Sequence, residues 1–222
     1  MDILLLLLMI LLPLIAQGYV SSTFNKFAKI NSNRGLTANQ VARMILDQNG
    51  LNHIRVEQIP GKLTDHYSPK EDVVRLSESV YGKSSLAAIG VAAHECGHAC
   101  QHAEDYTPII LRTSIVPFVN ICSRLWYIVF VLGIIMLEAF PFLTYIGIAM
   151  FGVVVLFQLI TLPTELNASA RAVNTLEAEG ILDITEMPAV RKVLFAAAMT
   201  YVTALATSLM QLIRLFLRVR HD

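Results

Sequence analysis

The stretch Val91-Ala92-Ala93-His94-Glu95-Cys96-Gly97-His98-Ala99-Cys100-Gln101-His102 decides how this chain reads. It contains H-E-x-x-H. The residues before it, Ser85-Leu86-Ala87-Ala88-Ile89-Gly90, are apolar and rich in alanine, which favours a helix. Ser84 or Ser85 supplies an N-cap. On a helix His94 and His98 leave the same face one turn apart, so two ring nitrogens can reach one Zn²⁺ at about 2.0–2.1 Å. Glu95 points aside, badly placed to ligate and well placed to take a proton from water, as a zinc hydrolase requires. Two histidines leave such a site one protein ligand short of the usual three. On spacing alone Glu165, His102, Asp65, His66 and the cysteines all stand as candidates. His102 lies about 12 Å along the helix axis from His94, too far to share the ion with it directly. Glu165, on a second helix, can approach from the side.

Outside this stretch the chain is strongly apolar. Hydrophobic residues make up 55% and charged residues 15%, and the mean hydropathy is +0.58. That balance excludes an ordinary soluble domain and suits several membrane spans. Seventeen Lys and Arg against seventeen Asp and Glu give no net charge, so a nucleic-acid partner has no electrostatic support. Three cysteines do not make a disulfide framework, and Cys96 and Cys100 read as small buried hydrophobes.

Four apolar segments are expected to be helical: 1–20, 115–137, 141–162 and 193–213. The first is about the length a span needs. It has no basic residue before it, so it reads as an uncleaved transmembrane anchor and not as a signal peptide. Lys26, Lys29 and Arg34 follow it and assign residues 21–112 to the cytoplasmic face. That region is the water-compatible part. Thr37 and Gln40 form a capping box for an amphipathic helix over 38–49. Residues 53–59 and 73–77 alternate as strands and are expected to pair antiparallel. Val73–Ser77, as an edge, would align an extended peptide. Asp65 and His66 lie between them. After the third apolar segment, Pro163 is expected to open a separate helix over 163–180 that carries Glu165. Four crossings place the C-terminus outside, against the basic residues Arg214, Arg218 and Arg220 that end the chain. The fold class is a mainly α-helical integral membrane protein with a small α+β zincin-like metallopeptidase domain.

Four groups of residues together resemble the membrane-bound neutral zinc metallopeptidases of bacteria, the YugP-type family. They are Leu63-Thr-Asp-His-Tyr-Ser-Pro69, Arg75-Leu-Ser77, the H-E-x-x-H stretch with Gln101-His102, and Thr161-Leu-Pro-Thr-Glu-Leu-Asn-Ala-Ser169 with Arg171-Ala172. The resemblance covers nearly the whole chain. It departs from the usual pattern at Ser68, where Asp is common, and at Cys96, where an aliphatic residue is common. Glu165-Leu-Asn-Ala168 also looks like the third-ligand helix of HtpX-type membrane zinc proteases, which implies that Glu165 is the third zinc ligand.

The function expected is therefore a multi-pass zinc metalloendopeptidase of the cell membrane, with its site at the cytoplasmic face. Zn²⁺ is held by His94, His98 and Glu165, and Glu95 is the general base. The partners are a peptide or protein substrate, membrane proteins among them, and the bilayer. His66, Tyr67 and Arg171 are the candidates for a second donor to the substrate oxygen. A lipid-directed zinc hydrolase and a structural zinc site are the rival readings of the same ligands.

Overall fold

The computed structural model describes residues 2–136 and 138–221. Met1 and Leu137, which end two of the expected segments, and Asp222 lie outside the described residues. The order of elements is α1 (Asp2–Phe27), α2 (Ala38–Gln48), β1 (Arg55–Ile59), β2 (His66–Ser68), β3 (Val73–Ser77), α3 (Leu86–Ala103), α4 (Thr107–Ile135), α5 (Phe142–Ala178) and α6 (Met187–His221).

Helices α1, α4, α5 and α6 are long and apolar enough to cross a membrane, and the protein is a mainly helical membrane protein with a small α+β domain. Leucine and isoleucine side chains cover the outside of α1, where Ile3 and Leu14 are 76% and 62% exposed. A contiguous apolar surface of this extent suits lipid and not water. The turn between α4 and α5 is tight, and glycines set how closely these two helices approach. A Cβ on Gly147 would lie 2.7 Å from the Phe130 backbone, and one on Gly133 would lie 2.3 Å from the Thr144 nitrogen. Small residues at such contacts let helix backbones meet within a bilayer. Phe130, Ile148, Phe151, Val155, Leu205 and Leu215 form the buried cluster of this bundle.

The water-compatible part has its own core. Val41, Ala42, Ile45 and Leu46 of α2 pack with Ile54, Val74, Leu76, Ile89 and Ala92, and with Leu176 of α5, Ile181 of the α5–α6 connection and Val190 of α6. The Gln40 side chain accepts the Thr37 backbone N–H at 2.9 Å, and Ser85 caps α3 by accepting from the Ala88 N–H.

Two expectations are corrected. The sheet is mixed, in the order β1-β3-β2, with β1 and β3 parallel and only β2 and β3 antiparallel. Val73–Ser77 is therefore the central strand. Its Val73, Val74 and Leu76 are fully buried, as a strand covered on both faces requires. The edge beside the site is β2. The second correction concerns Pro163, which does not begin a helix but lies inside α5. Proline removes one helical hydrogen bond. Around it the Thr161 and Thr164 hydroxyls donate to the Phe157 and Ile160 carbonyls at 2.8 and 3.1 Å, and such back-bonding is one way apolar helices tolerate proline. One unbroken helix thus carries the third apolar run directly into the segment with Glu165.

Candidate metal centre

Three of the apolar helices, α4, α5 and α6, meet α3 at one common cleft. The cleft has a volume of about 410 Å³, and its walls include His94, Glu95 and His98 of α3, Arg112 and Val116 of α4, Glu165 of α5 and Tyr201 of α6. The β2 edge closes one side with His66 and Tyr67.

Helix α3 presents His94 and His98 on one face, and their rings meet edge to face with centroids 4.8 Å apart. The two Nε2 atoms lie 3.2 and 3.4 Å from Glu165 Oε2. One ligand atom from each of His94, His98 and Glu165 falls within 4.8 Å of the others, the group suited to a metal ion among the described residues. Donors bound to one tetrahedral zinc at about 2.0–2.1 Å stand about 3.3 Å apart, so the two measured separations fit that ion. Two imidazoles and one carboxylate are also the donor set of a catalytic His₂Glu site.

The remaining atoms of these side chains are held from behind. His94 Nδ1 meets the Ser169 hydroxyl at 3.1 Å, and His98 Nδ1 meets Gln101 Oε1 at 3.0 Å. The Gln101 amide nitrogen donates to the Thr164 carbonyl at 2.8 Å and to Asn167 Oδ1 at 2.9 Å. With its N–H₂ so engaged, Gln101 can only accept from His98. That places the proton on Nδ1 and leaves the Nε2 lone pair aimed at Glu165. Glu165 is 2% exposed, and a carboxylate so buried needs compensation. Arg112 supplies part of it by donating to the other oxygen, Oε1, at 3.0 Å.

Glycine sets the approach of the two ligand helices. A Cβ on Gly97 would lie 2.7 Å from the Ala168 carbonyl oxygen. The glycine between Glu95 and His98 therefore lets α3 lie against α5 at the level of Glu165.

The other candidates separate clearly. Glu95 is buried and lines the same cleft as the three ligating side chains. Asp65 also lines it, but both of its oxygens are used by Ser77, whose N–H and hydroxyl donate at 2.7 and 3.0 Å. Burial pushes the Asp65 carboxyl up, and the Ser77 bonds only partly offset this. Asp65 therefore staples the 60–68 loop to the end of β3. Leu63 in that loop is held at φ 57°, a strained conformation costing about 1–3 kcal/mol. His66 is an exposed residue on the cleft wall. His102 also lines the cleft, tilted against Tyr67 with centroids 5.6 Å apart, outside the three-residue group. Burial, with His98 and Arg112 nearby, lowers its pKa and favours the neutral ring. Arg171 is turned away, paired with Glu104 at 2.7 Å and bonded to Asn167. The Cys96 thiol is fully buried, which drives its pKa well up, and it donates weakly to the Ala42 carbonyl.

Arg112, Tyr201 and the supporting roles of Gln101 and Ser169 do not emerge from spacing. Gln101 and Ser169 do sit inside the motif groups that carry the family resemblance. Arg112 looks like an interfacial charge before a span, and Tyr201 looks like one polar tip in an apolar helix.

Known proteins resemble the chain along nearly all of its length. Residues 2–220 match the family described as "Putative neutral zinc metallopeptidase". The chain is 48% identical over 199 residues to the "Putative membrane protease YugP" of Bacillus subtilis (strain 168), covering 90% of this chain and 88% of that protein. No solved structure matches the chain at a significant level. A match across nearly its full length, spans and ligand helices alike, places the chain in this neutral zinc metallopeptidase family.

Proposed function

We propose that the protein is a membrane-embedded zinc endopeptidase in which His94, His98 and Glu165 hold Zn²⁺ and Glu95 is the general base. The observation that carries this reading is the convergence of the two Nε2 atoms on Glu165 Oε2, with Glu95 in the same cleft. Zinc, when bound, supplies a Lewis acid that acidifies water and polarises a carbonyl.

The chain's own residues do the rest. Glu95 takes the proton of the attacking water and returns it to the leaving amine. Gln101 and Ser169 orient the two imidazoles, and Arg112 keeps one Glu165 oxygen occupied so that the other faces the histidines. The β2 edge offers backbone groups along the cleft, which suits an extended peptide. His66, Tyr67 and Tyr201 bring proton donors to the cleft for the substrate oxygen, whereas Arg171 is committed to Glu104.

The test is Glu95→Gln in the full-length protein. Zinc stays bound at the wild-type ratio while cleavage of a casein substrate falls by about 10²–10⁴-fold, the usual worth of a positioned base. Parallel loss of zinc would make Glu95 a ligand and overturn the assignment. His94→Ala, His98→Ala and Glu165→Ala each lose the metal, and His102→Ala keeps it.

A further inference from the structure

A second cleft, of about 260 Å³, joins the first at the site. Both are lined by Asp65, His94, Glu95 and Tyr201. The second adds α1, through Gln17 and Val20, and uses other residues of α3 and α6: Val91, and Val193, Leu194 and Ala197. Helices α1 and α6 both belong to the membrane-crossing set. Val20 lies at the end of the apolar run of α1, and Val193 to Ala197 lie at the start of that of α6. The second cleft therefore opens between two spans at the depth where their apolar surface begins. The first cleft carries more charge, with His66, Lys70, His102 and Arg112 on its walls beside Ile109, Val116 and Pro117 of α4.

We infer that the α1–α6 cleft receives the membrane-proximal segment of a membrane-anchored protein, so that the scissile bond lies where that protein leaves the bilayer. This rests on the peptidase reading above. A chain laid through both clefts has one end between apolar helices and the other among polar side chains, with Glu95 at the junction. An anchored protein has that same break in polarity where its span gives way to a tail. Its anchor also confines it to the depth of the site, which raises its effective concentration without any added contact. An extended backbone at this depth needs hydrogen-bond partners that lipid cannot offer. Gln17, a polar residue in an otherwise apolar stretch of α1, and Thr200 of α6 line the cleft where those partners are needed.

The test uses full-length, zinc-loaded protein in liposomes, with benzoylphenylalanine at Ala197 or at Phe195. Phe195 is 56% exposed on α6 and lies outside this cleft. One probe is a reporter with a Leu/Ala span of about 20 residues followed by a mixed-sequence tail; the other is the same tail without the span. In Glu95→Gln protein the spanned reporter crosslinks at Ala197 at least about tenfold more than at Phe195, and about tenfold more than the free tail does at Ala197, as confinement at the site predicts. Equal crosslinking at the two positions, or recovery of phospholipid in place of the reporter, overturns the inference. In protein with Glu95 intact, Ala197→Trp and Val20→Trp each lower the ratio of spanned-reporter to free-tail cleavage by about tenfold; an unchanged ratio overturns it. Crosslinking at Ala197 with no cleavage of either probe would leave the cleft's occupant standing and remove the peptidase reading, so the two failures are told apart.

Discussion

Gln101 has no exposed surface, and its amide is committed on both sides: the oxygen to His98, the nitrogen to the Thr164 carbonyl and Asn167. Asn167 in turn accepts from Arg171, which pairs with Glu104 at the surface. Through this chain of contacts the ring of His98 is oriented from a point well outside the cleft. Replacing Gln101 by Ala removes the Nδ1 partner and frees the ring to rotate. Partners of this kind are worth about 10–100-fold in metal affinity, so Gln101→Ala is expected to weaken zinc binding by that factor, read by competition with a chelator. Unchanged affinity would mean that packing alone orients His98. The motif histidines and Glu95 are legible in the sequence because helical periodicity fixes which face they share. Gln101 is legible only as part of a motif, since nothing in its spacing tells that its amide turns toward His98 and the backbone of α5.

Between elements, the decisive contact is the crossing of α3 and α5 at Gly97 and Ala168. A methyl group at Gly97 meets backbone, not a flexible side-chain tip, so the helices must part. Overpacking of this kind costs about 1–3 kcal/mol. Gly97→Ala is thus expected to lower both thermal stability and zinc retention. The control is Gly152→Ala in α5, where an added Cβ meets nothing within 4 Å; it is expected to leave zinc content unchanged. Equal behaviour of the two variants would show that the crossing tolerates separation. The existence of the apolar helices was readable, because hydropathy reports what faces lipid. Their ends were not, because helical hydrogen bonding continues past the lipid boundary. So α4 begins at Thr107 and α5 runs unbroken to Ala178. Parallel pairing of β1 with β3 was hidden for another reason: it depends on the path of the 60–72 segment, which Asp65 pins to Ser77 from outside the strands.

At the scale of the whole molecule, α4 and α5 form one hairpin that leaves the site and returns to it. The region before α4 and the C-terminal end of α5 must then share one face of the membrane, with the α4–α5 turn on the other. With Lys26, Lys29, Arg34, Arg191 and Lys192 beside it, the shared face is expected to be the cytoplasmic one. Single cysteines at Glu78, Ala178 and Ala139, all exposed positions, test this in a background where the three native cysteines, all buried, are replaced. A membrane-impermeant thiol reagent applied to intact cells is expected to label Ala139→Cys and to spare the other two. Labelling of Glu78→Cys and Ala178→Cys on opposite faces would separate Glu165 from the histidines and dissolve the site. The same hairpin also orders events in time. A ribosome finishes His94 and His98 well before it reaches Glu165, and the third donor arrives only after the chain has been threaded through the bilayer and back. The donor set of the metal centre is therefore split by the hairpin, and it is brought together only when α3 and α5 meet at Gly97 and Ala168.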